Sequence, residues 1–140
     1  MKFTLIDEVL EQSPDRIVAV KSVTAAEEYL ADHFPKFPVL PGVFMVEAMV
    51  QAARRLLGSR GGRHVLGGVR ALRFGSFVRP GESLRVEVRL DREGEAGEFR
   101  FQGTGSVVRS DGSSETAVTG RFTMRPSRPR TVAESRSGSS

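Results

Sequence analysis

Between Pro41 and Leu57 the chain reads PGVFMVEAMVQAARRLL, and no other stretch is as long and as apolar at helical spacing. From Val43 to Ala53 only Glu47 and Gln51 are polar. A helix that is apolar nearly all round belongs in an interior, so the rest of the chain must supply its cover. At 1.5 Å per residue the helix spans roughly 25 Å. Pro41 suits the first turn, where a missing N–H costs nothing, and Gly58 with the following SRGGR ends the helix.

The cover reads as strands. RIVAVKSVT, residues 16–24, alternates apolar and polar positions and is rich in valine. HVLGGVRALRF follows the helix, its glycines marking a bulge or a close approach. SLRVEVRLDR places Leu84, Val86, Val88 and Leu90 on one face. GEFRFQGTGSVVRS and ETAVTGRFTMR come next, separated by the turn signal SDGS. FTLIDEVLE reads as a short helix or an irregular strap, and AAEEYL, residues 25–30, as one or two helical turns. The expected fold is α+β, a single domain over residues 1–124 with an antiparallel sheet wrapped around one long helix.

Composition narrows the function classes. The chain has no cysteine, which excludes disulfides and thiolate metal sites, and two histidines do not make a histidine-rich metal centre. No metal ligand set is expected. Acids interrupt MKFTLIDEVLEQ before a signal-peptide core can form, and no apolar run approaches the roughly 20 residues of a membrane helix. A cytoplasmic protein without a membrane span is expected. The sequence pI is about 10.3, but residues 125–140, RPSRPRTVAESRSGSS, hold four arginines and one acid. Outside them stand 17 basic and 16 acidic residues. The excess is therefore expected to lie in a disordered Pro/Ser/Arg tail, with no nucleic-acid partner implied.

Glu47 and Gln51 are four apart and share one side of the helix. Two readings stand side by side. Buried, Glu47 would be pushed toward its protonated form and could serve as a general acid, oriented by the Gln51 amide. Alternatively, it points outward and meets water or an arginine. Ahead of the helix, Phe34, Phe37 and Leu40 each precede a proline and are biased toward extended backbone. No Ser, Thr, Asp or Asn stands at 39–42 to cap the helix, so the N–H groups near Gly42 and Val43 are unclaimed. Such donors can receive a developing oxyanion, or simply water. His33, just before the proline loop, has the side chain of a base near neutral pH, or of a histidine packed beneath the loop.

The stretch HFPKFPVLPGVFMVEAMVQAA closely resembles the signature of the FabZ-type 3-hydroxyacyl-acyl-carrier-protein dehydratases, whose fold is the hotdog. The family pattern runs roughly HFPxxPVxPGVxxxEAxxQ, and its His-to-Glu spacing is intact here. The isomerising FabA branch carries aspartate where Glu47 stands. Weaker similarity extends from about Phe3 to Met124 and includes the Pro80-Gly81-Glu82 turn. The resemblance implies elimination of water from a (3R)-3-hydroxyacyl thioester. His33 would take the C2 proton, Glu47 would protonate the leaving hydroxyl with support from Gln51, and the Gly42 N–H would polarise the thioester carbonyl. Phe44, Met45 and Met49 are expected to line the acyl tunnel. No cofactor is implied beyond the phosphopantetheine arm of the acyl carrier protein. The implied assembly is a homodimer with sites shared between protomers, or a trimer of such dimers.

Departures from the pattern have their own implications. Asp32 stands where glycine is usual. Gly75 and Ser76 replace arginines common in the family, which leaves Arg54, Arg55 and Arg60 as the alternative basic patch for the carrier. A hotdog thioesterase, with Glu47 activating water, and a noncatalytic acyl- or carrier-binding partner are the rival readings.

Overall fold

The structure, a computed structural model, describes residues 5–23, 40–58 and 62–127. The helical reading of residues 25–30, His33 with the loop to residue 39, Arg60, and the tail from residue 128 fall outside them.

Six strands form one antiparallel sheet: β1 (Glu8–Ser13), β2 (Arg16–Ser22), β3 (His64–Phe74), β4 (Ser83–Glu93), β5 (Phe99–Val108) and β6 (Ser114–Pro126), in the order β1-β2-β4-β5-β6-β3. The helix α1 (Gly42–Leu57) lies against β2, β4 and β5. Period-two alternation gives each central strand a buried face, so Val86 and Val88 of β4, Phe101 of β5 and Phe122 and Met124 of β6 meet α1. The helix answers with Met45, Ala48, Met49, Ala52, Ala53 and Leu56, all buried. Truncating a large side chain in this cluster costs about 2–5 kcal/mol. Among the described residues the α+β reading of one long helix and an antiparallel sheet holds.

Three details differ from or refine the sequence reading. Residues 8–13 form a strand, where FTLIDEVLE suggested a helix or strap. Backbone pairing to β2 decides this, because β1 is a largely exposed edge with too few apolar side chains to show a strand period. Ahead of it Leu5 and Ile6 do act as a strap, both buried. In β3 the ladder passes from Leu66↔Met124 to Gly68↔Thr123, which leaves Gly67 as the extra residue of the bulge its glycines announced. Finally, β6 runs to Pro126, so Arg125 and Pro126, counted above with the tail, pair with Val65 and His64.

The helix itself is only half covered. Val43, Glu47 and Arg54 recur on one face of α1, and Val43 is 70% exposed. The expectation of a helix buried all round is corrected: one sheet covers one side of a cylinder.

Candidate active site

Glu47 stands on that uncovered face with its side chain 43% exposed, so within a single chain it is not the buried carboxyl considered above. Its Oε2 accepts a hydrogen bond from Gln51 Nε2 at 3.3 Å. The Gln51 amide cannot turn freely, because its Oε1 accepts the Leu5 N–H at 2.8 Å. A flip would set an amide nitrogen against a backbone donor, so the N-terminal strap fixes Gln51 as the donor toward Glu47. Oε2 is thereby committed as an acceptor, and Oε1 makes no hydrogen bond among the described residues. Arg54 Nη1 lies 3.8 Å from Glu47 Oε2, while Arg54 Nε donates to the His64 carbonyl at 3.2 Å. The outward reading of Glu47, in which it meets an arginine, is what the single chain displays.

At the helix start Pro41 occupies the cap position with extended backbone and provides no side-chain cap. The Pro41 carbonyl accepts from Phe44 and Met45. Among the described residues no acceptor meets the N–H groups of Gly42 and Val43. The space beside the Gly42 Cα is not open. A Cβ there would stand 2.7 Å from the Phe74 ring, so glycine is what lets Phe74 lie over the helix start. Phe74 is itself 54% exposed. Met45 and Met49 are packed in the core and Phe44 is half-buried.

His33 lies outside the described residues, but both ends of its segment are held by one stretch of chain. The Val23 N–H donates to the Glu82 carbonyl at 3.0 Å, and Gly81 N–H donates to the Val23 carbonyl at 2.9 Å. On the far side the Leu40 N–H donates to the Val78 carbonyl at 2.8 Å. The Pro80-Gly81-Glu82 turn can do this because Gly81 takes φ 89, which other residues resist. Glu82 locks the turn by accepting from the Arg79 N–H at 2.9 Å and from Arg109 Nη1 at 2.8 Å. Burial pushes the Glu82 carboxyl up, but those two donors outweigh it and hold it below the usual carboxylate range.

Sequence reasoning did not tie three residues to this site. Arg54 is seven residues from Glu47, a spacing that returns to the same helix face and could have been read. Leu5 acts through its backbone from 46 positions away, and Phe74 reaches Gly42 across the fold, so neither leaves a local signal. Gly75 has a local reason for replacing the family's arginine: a Cβ there would run into the Thr116 carbonyl oxygen. Among the described residues no three His, Asp or Glu side chains converge as a metal site, and no helix is long and apolar enough to cross a membrane.

Curated relatives resemble the chain over much of its length. A FabZ 3-hydroxyacyl-acyl-carrier-protein dehydratase of Roseiflexus sp. is 44% identical over 95 residues, and one of Bacillus cytotoxicus is 43% identical over the same length. Each alignment covers 64% of this chain and 66% of the relative, just under two thirds of the relative's length. Among solved structures, the dehydratase heterocomplex ApeI:P of Xenorhabdus doucetiae superposes with a TM-score of 0.68 at 22% identity, covering 89% of this chain and 84% of that one. A thioesterase-superfamily protein of Thermus thermophilus gives 0.61 at 20% identity, covering 86% and 82%. These likenesses place the sheet and helix in the hotdog fold. The ApeI-like profile, described as ApeI dehydratase, matches residues 9–113, the span that carries the signature helix and most of the sheet. This chain is a member of the ApeI-like dehydratase family.

Proposed function

We infer that the protein eliminates water from a (3R)-3-hydroxyacyl thioester borne on an acyl carrier protein, leaving the trans-2-enoyl thioester. The observation that carries this reading is the Leu5–Gln51–Glu47 chain of hydrogen bonds beside an uncapped helix start, within a family of dehydratases. In this reading His33 takes the C2 proton, and the C2–H electrons form the C2=C3 double bond. Glu47 Oε1 gives its proton to the C3 hydroxyl, which departs as water. The Gly42 N–H meets the thioester oxygen, where negative charge builds as C2 loses its proton. Transfer of the proton from His33 back to Glu47 through solvent resets the site. The reaction is redox-neutral, and no cofactor or metal enters it.

The open face of α1 supports a site completed by a second copy of the chain. A carboxyl meant to donate a proton works best away from bulk water, and here the Glu47 side chain is half-exposed. A homodimer in which His33 of one protomer meets Glu47 of the other would close it, with a trimer of dimers as a larger arrangement. Phe44, Met45 and Met49 are assigned to the acyl tunnel, and the site of action to the cytoplasm.

One observation favours a second reading. Arg54 beside Glu47 suits a carboxylate that activates water, the need of a hotdog thioesterase. The two are separated by turnover of a 3-hydroxyacyl thioester, followed at once by enoyl absorbance and by free thiol. Enoyl formation without thiol is expected, with His33→Ala and Glu47→Gln each losing about 10²–10⁴-fold. Thiol release without enoyl would establish hydrolysis, and undiminished turnover in both variants would remove the assigned roles.

A further inference from the structure

We propose that the outer face of the sheet, across β3, β6, β5 and β4, is a docking surface for a carboxylate-rich segment of another protein. Residues alternating with the core positions turn away from α1, and register shows which of them are neighbours. Arg70 of β3 stands directly opposite Arg121 of β6. Arg92 of β4 stands directly opposite Arg100 of β5. With Arg125 these side chains line a half-open groove of about 610 Å³, which Asp91 and Glu98 also line. Like charges placed directly across a ladder repel, and here they are so placed twice.

Elsewhere three arginines are closely paired, while Arg55, Arg63, Arg73, Arg79 and Arg85 also make no ion pair among the described residues. Arg16 holds Glu87 at 2.6 Å and Glu11 at 2.8 Å, Arg89 holds Glu87 at 2.9 Å, and Arg109 holds Glu82 at 2.8 Å. None of the five groove arginines makes a side-chain hydrogen bond or ion pair among the described residues. The near balance of charge over residues 1–124 hides this arrangement, because a sum takes no account of which charges stand opposite one another. In sequence, Arg128 and Arg130 follow within five positions of Arg125.

Unpaired cations facing each other call for anions, and the guanidinium fork fits carboxylates two oxygens at a time. A protein segment is favoured over a polynucleotide or a lipid surface on two grounds. The site is a groove, which a flat headgroup plane does not fill, and Asp91 and Glu98 would repel a uniform polyanion while accepting a lysine or arginine among the partner's acids. This surface lies opposite the face bearing Glu47, so it stands or falls apart from the catalytic reading.

The test uses the full chain and fluorescence anisotropy with a labelled poly-L-glutamate peptide at low salt. A labelled single-stranded oligonucleotide and phosphatidylglycerol vesicles serve as the competing probes. Arg100→Glu with Arg121→Glu is expected to weaken peptide binding about tenfold or more, and Arg63→Glu with Arg79→Glu, an equal change in net charge, less than about threefold. Thermal melts verify folding, and Arg100→Gln with Arg121→Gln replaces the reversal pair if it fails to fold. Equal loss from both pairs, or no loss from the groove pair, would overturn the proposal. So would tighter binding of the oligonucleotide or vesicles that is lost with the same groove substitutions.

Discussion

The two edges of this sheet are built to opposite purposes. At one edge β1 carries Glu8, Glu11 and Gln12, with a register shift between Val9 and Glu11, and its large exposed apolar residue is Leu10 alone. Charge and a bulge are how an edge avoids further pairing. At the other edge β3 exposes Leu66, Val69, Leu72 and Phe74, and Val43 and Phe77 are exposed as well. That strand has a free side and an apolar surface, and Phe74 joins it to the helix start beside Gly42. Under the proposed function, the difference points to the β3 edge, not the β1 edge, as the place for a second protomer.

The comparison breaks most sharply under charge. Val69→Lys with Leu72→Lys on β3 is expected to shift the protein to monomer in sedimentation velocity and to cut dehydration at least roughly a hundredfold, toward a site lacking one of its two groups. Leu10→Lys on β1 is expected to leave both the oligomer and the activity in place, with stability changed by less than about 0.5 kcal/mol. If the β1 substitution dissociates the protein and the β3 pair does not, the edges have been assigned backwards.

A smaller effect sharpens the same contrast. The Arg16 hydrogen bond, opposed in part by burial, with Arg89 adding to it, holds the Glu87 carboxyl below its ordinary value of 4.5. A carboxyl lowered on folding contributes stability that is complete above that ordinary value and is lost as pH falls through the folded-state value. Acid should therefore loosen the β1–β2–β4 side, where Arg16 ties Glu87 to Glu11, before the β3–β6 pairing, which has no such tie among the described residues. Hydrogen exchange across pH 5 to 3 should show β1 amides losing protection first. The shift is modest because the Glu87 side chain is 38% exposed and solvent screens the pair.

Much of this architecture could be read from residues alone. β4 and α1 were legible because their apolar positions repeat with the period of the element they form. The Pro-Gly-acid turn was legible as chemistry, and the structure adds that it holds both ends of the segment containing His33. β1 was misread because an edge strand held by backbone bonds need not alternate. Glu47 and Gln51 were legible through their spacing of four. Their anchor at Leu5 was not, since a backbone donor 46 residues away leaves no mark in the local pattern. The arginine groove escaped notice for a different reason. Net charge sums residues regardless of register, and register decides which charges face one another.

The central claim is that each site draws its base from one protomer and its acid from the other. His33→Ala and Glu47→Gln, each nearly inactive alone, can be unfolded together and refolded as a mixture. Random pairing makes half the dimers mixed, and each mixed dimer holds one site with both groups, so about a quarter of wild-type dehydration should return. No recovery, from a mixture verified to contain mixed dimers, would place His33 and Glu47 of the same chain in one site and contradict the account.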